Sequence, residues 1–172
     1  MKILISADIE GISGIVDFEQ TSPRGRDYES ARRLMTREVN TIIESAFEYG
    51  ADEVIVSDSH HNNTNILIEE LSPRATLIRC INQPLSMMQG IDSSIDAVFL
   101  VGYHARAGIQ EAVMDHTYTF RVIHVKINDK PMGEAGINGR IAGSFGVPVV
   151  FASGDKKAIM CAKEELNNPV GV

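Results

Sequence analysis

Asp8 and Glu10 follow the apolar run Lys2-Ile3-Leu4-Ile5 within the segment Ser6-Ala7-Asp8-Ile9-Glu10-Gly11. In extended backbone a spacing of two puts both carboxylates on one face of the chain. Like charges so placed repel, and such a pair persists most readily where a cation or a shared proton compensates it. Two other apolar runs end on metal-competent residues. Val54-Ile55-Val56-Ser57 leads into Asp58-Ser59-His60-His61, and Ala97-Val98-Phe99-Leu100-Val101 leads into Gly102-Tyr103-His104-Ala105-Arg106. Carboxylate oxygens combined with imidazole nitrogens suit zinc and its first-row neighbours. Asp8, Glu10, His60, His104 and one more carboxylate are too many for one tetrahedral ion. They suit two metals that share a bridging carboxylate, with water between them.

Such residues work together only if the fold gathers them. Strand-like and helix-like patterns alternate along the chain. The first strand is Lys2 to Ile5, followed by a loop from Gly11 to Arg26. Apolar residues at helical spacing from Ala31 to Phe47 predict a helix over about Asp27–Tyr49, with Asp27 to cap its start and Gly50 its end. Further strands are read at Glu53–Ser57, Thr76–Ile78, Ala97–Val101, Thr117–Ile127 and Val147–Ala152. Short helices are read at Ile66–Leu71 and Pro84–Met88, and longer ones at Ala135–Phe145 and Lys156–Leu166. Asn128 to Pro131 reads as a turn. The pattern predicts an α/β fold: a three-layer domain with a mostly parallel sheet flanked by helices. Active-site material in such folds collects at the carboxyl ends of the strands, where Asp8, Glu10, His60 and His104 all fall.

Each of these residues also has a plainer structural use. Asp8 and Glu10 could cap backbone amides at a solvated strand end. His60 could belong to a polar surface loop, and His61 reads that way. His104 could be a partly buried histidine bonded to backbone, and His116, just before a β-rich stretch, a core histidine. His124 alternates with apolar residues and reads as structural. Glu134 stands at a helix start, where it complements the helix dipole, and Asp155 reads as an N-cap. Arg106 is a candidate to bind a peptide carboxylate or an oxyanion, against the simpler task of balancing charge.

Bulk properties narrow the classes. The chain has 172 residues, enough for one sizeable domain. Its formal net charge of −7 and scattered Lys and Arg argue against nucleic acid as a partner. No apolar run is long enough to cross a membrane. Asp8 and Glu10 interrupt the first apolar stretch too early for a signal peptide, so the expected compartment is the cytoplasm. Cys80 and Cys161 stand in unrelated contexts and read as reduced thiols. Gly11-Ile12-Ser13-Gly14 lacks the Lys and Ser/Thr of a phosphate loop, and no Gly-x-Ser-x-Gly elbow occurs.

Taken together, five segments resemble the zinc-dependent D-aminopeptidases of the DppA-like family. They are Ser6 to Gly14, Ser57-Asp58-Ser59-His60, Gly102-Tyr103-His104-Ala105-Arg106, Met114-Asp115-His116-Thr117 and Asn128 to Glu134. The resemblance implies a two-zinc site with Asp8 as the bridging carboxylate and Glu10, His60, His104 and Glu134 as the other ligands. It implies that His116 is the catalytic histidine, acting as nucleophile or as proton shuttle. It implies hydrolysis of short peptides that begin with a D-amino acid such as D-alanine, and a ring-shaped homo-oligomer. Family members continue for roughly a hundred residues more, one further modest domain. The expectation is therefore a single metallopeptidase-like α/β domain over residues 1–172 with the family's C-terminal region absent. Two other functions fit the same residues. One is a non-catalytic metal- or peptide-binding module; the other is a different two-metal amidase or phosphatase.

Overall fold

In the computed structural model, which describes residues 1–172, Ile3, Ile5 and Ala7 of β1 (Lys2–Ala7) join one apolar cluster and Leu4 joins another. That alternation is the period of a strand buried on both faces. The first cluster is closed by Ala31, Met35, Val39 and Ile43 of α2 (Tyr28–Glu48). The second is closed by Ala135 and Ala142 of α3 (Glu134–Ser144), Ala162 of α4 (Lys156–Glu165), and Met87 and Met88 of a 3-10 turn at Ser86–Met88. The result is the expected three-layer α/β arrangement.

The central sheet has six strands in the order β3-β2-β1-β4-β7-β8, with β2 at Glu53–Asp58, β3 at Thr76–Ile78, β4 at Ala97–Tyr103, β7 at Val149–Gly154 and β8 at Val170–Gly171. All its pairings are parallel. A separate hairpin joins β5 (Lys126–Ile127) to β6 (Lys130–Pro131) through Asn128 and Asp129, both at positive φ, as the expected turn requires. Chain order reverses beside β1, whose neighbours are β2 and β4. Such a switch point opens a crevice beyond the carboxyl ends of the strands.

Several local expectations are corrected. Thr117–Ile127 is not a strand. It holds one isolated bridge, Thr117 to Thr119, and only Lys126–Ile127 pairs with another strand. Its β-forming residues find no neighbouring strand: Tyr118 has a positive φ, and Phe120 and Ile123 are exposed. His124, read as structural, is exposed for the same reason. Ile66–Leu71 forms a single turn, not a helix, because α2 side chains hold its backbone. Leu67 N donates to Thr36 Oγ1 and Asn40 Nδ2 donates to Glu70 O. The predicted loop from Gly11 to Arg26 contains a short helix, α1 (Phe18–Thr21), closed at its start by a reciprocal capping pair of Asp17 and Gln20. Asp27 precedes α2 but makes no capping bond. β8 was not anticipated, being two residues long.

Candidate metal centre

β2, β1 and β4 are neighbours in the sheet and deliver their carboxyl ends to one place. Asp8 and Glu10 leave β1, His60 leaves β2 and His104 leaves β4. The backbones after β1 and β4 touch directly: Asp8 N donates to Val101 O at 2.8 Å and Gly11 N to Gly102 O at 2.8 Å. A Cβ on Gly11 would strike the Tyr103 carbonyl, and one on Gly102, at φ +70°, the Asp8 carbonyl. The glycines flanking the two motifs therefore let them meet.

Glu134, the first residue of α3, and His116, from the irregular segment before Thr117, complete the gathering. Their candidate ligand atoms form three groups, each within 4.8 Å: Asp8, Glu10 and His60; Asp8, His104 and Glu134; Glu10, His104 and His116. His60 Nδ1 lies 3.2 Å from Asp8 Oδ1 and 3.1 Å from Glu10 Oε2. His104 Nε2 lies 3.2 Å from Glu134 Oε1 and 3.6 Å from Asp8 Oδ2. His116 stacks on His104 with ring centroids 3.7 Å apart. Its Nε2 is 3.8 Å from Glu10 Oε1 and 3.9 Å from Glu134 Oε1.

The far nitrogens are held as metal-ligating imidazoles are held. His60 Nε2 contacts the Thr21 carbonyl at 2.8 Å, and His104 Nδ1 the Ala105 carbonyl at 3.0 Å. With those N–H groups donating, Nδ1 of His60 and Nε2 of His104 turn lone pairs into the cluster. His104 Nε2 and Glu10 Oε2 are buried, and their nearest oppositely charged neighbours, at 3.2 and 3.1 Å, are not aligned as hydrogen bonds. Buried polar atoms rarely go unpaired. Two such atoms aimed into a group of carboxylates and imidazoles fit a cation held between them.

Protonation tells the same story. Burial opposes charge on His104, yet the Glu134, Asp8 and Glu10 carboxylates outweigh it and push its pKa up to about 10. His60 is raised well above its ordinary value by Glu10 and Asp8, again against burial. Burial and the Glu10 charge push Asp8 up. Burial also acts to raise Glu10, but the His60 and His104 charges hold it down at about 2. Without metal, protons on the imidazoles compensate the carboxylates.

A cavity of ≈ 450 Å³ opens over this cluster. Asp8, Glu10, His60, His116 and Glu134 line its floor, and Phe18, Tyr118 and Phe120 line one side.

The model of peptidase family M55, described as D-aminopeptidase, matches residues 1–172. The chain belongs to this D-aminopeptidase family. It is 42% identical over 168 residues to a D-aminopeptidase of Bacillus subtilis (strain 168), covering 98% of this chain and 61% of that relative. It also superposes with a TM-score of 0.97 on a solved structure, the "Zn-dependent D-aminopeptidase DppA from Bacillus subtilis, a self-compartmentalizing protease", at 42% identity. That match covers 99% of this chain and 62% of the solved one, so the chain spans about three fifths of these relatives' length.

Within this family fold, the six residues Asp8, Glu10, His60, His104, His116 and Glu134 stand together. Arg106 does not join them. Its guanidinium turns to Glu165 at 2.8 Å and Glu164 at 3.4 Å, and it does not line the cavity. His61 is exposed, and Asp155 caps α4 by accepting from Ala158 N. Sequence reasoning missed the Thr21 carbonyl behind His60, the Tyr118 N–H that donates to Glu134 Oε1 at 2.7 Å, and Asn65 beneath the His60 turn. The first two are backbone groups, which carry no residue signal at all.

Proposed function

We propose that this protein is a metal-dependent aminopeptidase that removes N-terminal D-amino acids, such as D-alanine, from short peptides. Asp8, Glu10, His60, His104 and Glu134 hold two zinc ions, with Asp8 as the bridge, and His116 is the catalytic histidine. The observation that carries this reading is the convergence of these side chains around two buried atoms without an aligned hydrogen bond, His104 Nε2 and Glu10 Oε2. Asp8 suits the bridge because its two oxygens face different histidines, Oδ1 toward His60 and Oδ2 toward His104. Family membership and the zinc dependence of the DppA relative support it.

Bound zinc supplies a Lewis acid for the scissile carbonyl and a water whose pKa falls to roughly 7. The residues do the rest. His116 lines the cavity beside Glu10 and Glu134, whereas His104 lies beneath it. Phe18 and Phe120 pack around the His116 ring at centroid distances of 6.3 and 5.4 Å and hold it over the floor. From there its imidazole can attack the carbonyl or carry a proton to the departing amine. A cavity of ≈ 450 Å³ has room for the first residues of a short peptide. The self-compartmentalizing relative supports a homo-oligomer here too. No helix is long and apolar enough to cross a membrane.

Metal analysis combined with assays on D-Ala-D-Ala, D- and L-alanine p-nitroanilides and p-nitrophenyl phosphate tests the proposal. Two zinc ions per chain and turnover of the D-peptides are expected. Absence of stoichiometric zinc at neutral pH overturns it. Zinc without peptide turnover makes the protein a binding module, and phosphoester turnover without peptide cleavage makes it a different two-metal hydrolase.

A further inference from the structure

α3 starts with Glu134, and its N-cap, Gly133, has no side chain to satisfy the helix's first N–H groups. Those groups need acceptors wherever the helix end is buried. One comes from Glu165, the last residue of α4, only 5% exposed. Its Oε2 accepts from Gly133 N at 2.9 Å and from Gly136 N at 3.1 Å. A buried carboxylate needs a counter-charge, and Arg106 supplies it, donating from Nη1 to Glu165 Oε1 at 2.8 Å.

Arg106 stands two residues beyond His104 on the segment leaving β4. One ion pair therefore ties the backbone behind His104 to the backbone that begins with Glu134. The approach is close. A Cβ on Gly136 would press on Glu165 Oε2 and Met132 Sδ, and one on Gly133 would press on Arg106 Cβ. Arg140 of α3 secures the same corner by donating to Glu165 O at 2.6 Å. On the cavity side, Tyr118 N holds Glu134 Oε1.

We infer that Glu165, held by Arg106, is a positioning residue for Glu134: it caps α3 from another helix and sets the separation of Glu134 from His104. Those two side chains come from different elements and stand 3.2 Å apart. Glu165 touches neither the cavity nor the cluster; it meets the start of α3 directly and, through Arg106, the segment that follows His104. The inference rests on the proposed reading of Glu134 and His104 as zinc ligands. It gives Arg106 a place in the site other than substrate binding.

The test measures zinc stoichiometry and affinity by chelator competition, together with the visible spectrum of the cobalt-substituted protein. The variants are Glu165→Gln, Arg106→Gln, Glu134→Gln and the double variant Glu165→Gln/Glu134→Gln. Glu165→Gln is expected to weaken one of the two ions by about 10- to 100-fold and to change the cobalt spectrum. In the Glu134→Gln background it should add no further loss, because its effect passes through Glu134. Arg106→Gln should reproduce the pattern and carries the test if Glu165→Gln does not fold. Parental zinc affinity and cobalt spectra in both Glu165→Gln and Arg106→Gln overturn the inference, as does an additive loss in the double variant. If Glu134→Gln loses one ion while those two variants keep both, the inference fails alone. If Glu134→Gln itself keeps both ions, the ligand reading fails and the inference with it.

Discussion

At Asp8 and Glu10, burial and charge compete for the same protons. The His60 and His104 charges hold Glu10 at about 2 despite burial, and His104 in turn rises to about 10. At neutral pH the metal-free His104 therefore carries a proton, whereas a ligating imidazole must be neutral. Entry of the proposed zinc would expel that proton, so its affinity is expected to fall as pH falls. From about pH 8 to about pH 6 the apparent affinity is expected to drop about tenfold per pH unit for each proton released. Calorimetry in two buffers of different protonation enthalpy counts the protons; a pH-independent affinity would contradict the assignment. The histidines should also separate by substitution. His60→Ala and His104→Ala are expected to lose zinc, whereas His116→Ala should keep it and lose turnover. Metal analysis beside a peptide assay checks this, and equal zinc loss in all three would remove the separate role of His116. At this scale the sequence was informative because Asp8, Glu10, His60 and His104 declared themselves by type and by place after an apolar run, whereas Glu134 entered only through the family resemblance. Arg106 shows the limit: its type suggested an anion, but which anion depended on Glu165, nearly sixty positions away.

Among the elements, the turn that carries His60 shows how local chain is held by distant partners. Asp58, the last residue of β2, accepts from Asn65 N at 2.6 Å, Ile66 N at 2.7 Å and Asn65 Nδ2 at 2.7 Å. Asn65 Nδ2 also donates to the His60 carbonyl at 2.6 Å, while Tyr28 of α2 donates to Asn65 Oδ1 at 2.6 Å. Removing the Asp58 carboxylate leaves buried donors unpaired. Asp58→Ala is expected to cost roughly 2–4 kcal/mol and to weaken zinc binding through His60. Urea unfolding of the metal-free protein and zinc titration measure the two effects; unchanged values for both would refute the clamp. The elements legible in the sequence were β1, β2, β3, β4, β7, α2, α3 and α4, from short apolar runs and helix-like spacing between turn residues. Ile66–Leu71 and Thr117–Ile127 misled because their residue types were right for a helix and a strand. What they lacked was a partner: α2 claimed the backbone of the first, and the second found a neighbouring strand only at Lys126–Ile127.

For the whole molecule, the proposed cation, held by residues that follow β1, β2 and β4 and by the first residue of α3, would couple metal binding to folding. A ligand that binds only the folded state adds about 2.7 kcal/mol at a hundredfold excess over its Kd. For a chain of this size that corresponds to roughly 5–10 °C in Tm. Chelation with EDTA is expected to lower the melting temperature by this order and zinc to restore it; calorimetric scans of both forms decide, and identical melting would deny the cation a place in the folded site. By itself the sequence determined the α/β class, the order of the main elements and the residues able to bind metal. Those properties reside in hydrophobic period and side-chain chemistry, both local to the chain. Tertiary structure alone decided that β2, β1 and β4 lie side by side, which brings Asp8, Glu10, His60 and His104 together at a switch point. It also decided that Arg106 turns from the cavity to Glu165 and that backbone groups of Thr21 and Tyr118 hold His60 and Glu134. Such contacts join positions far apart in the chain, and the pairing of a backbone carbonyl or N–H leaves no mark in residue type.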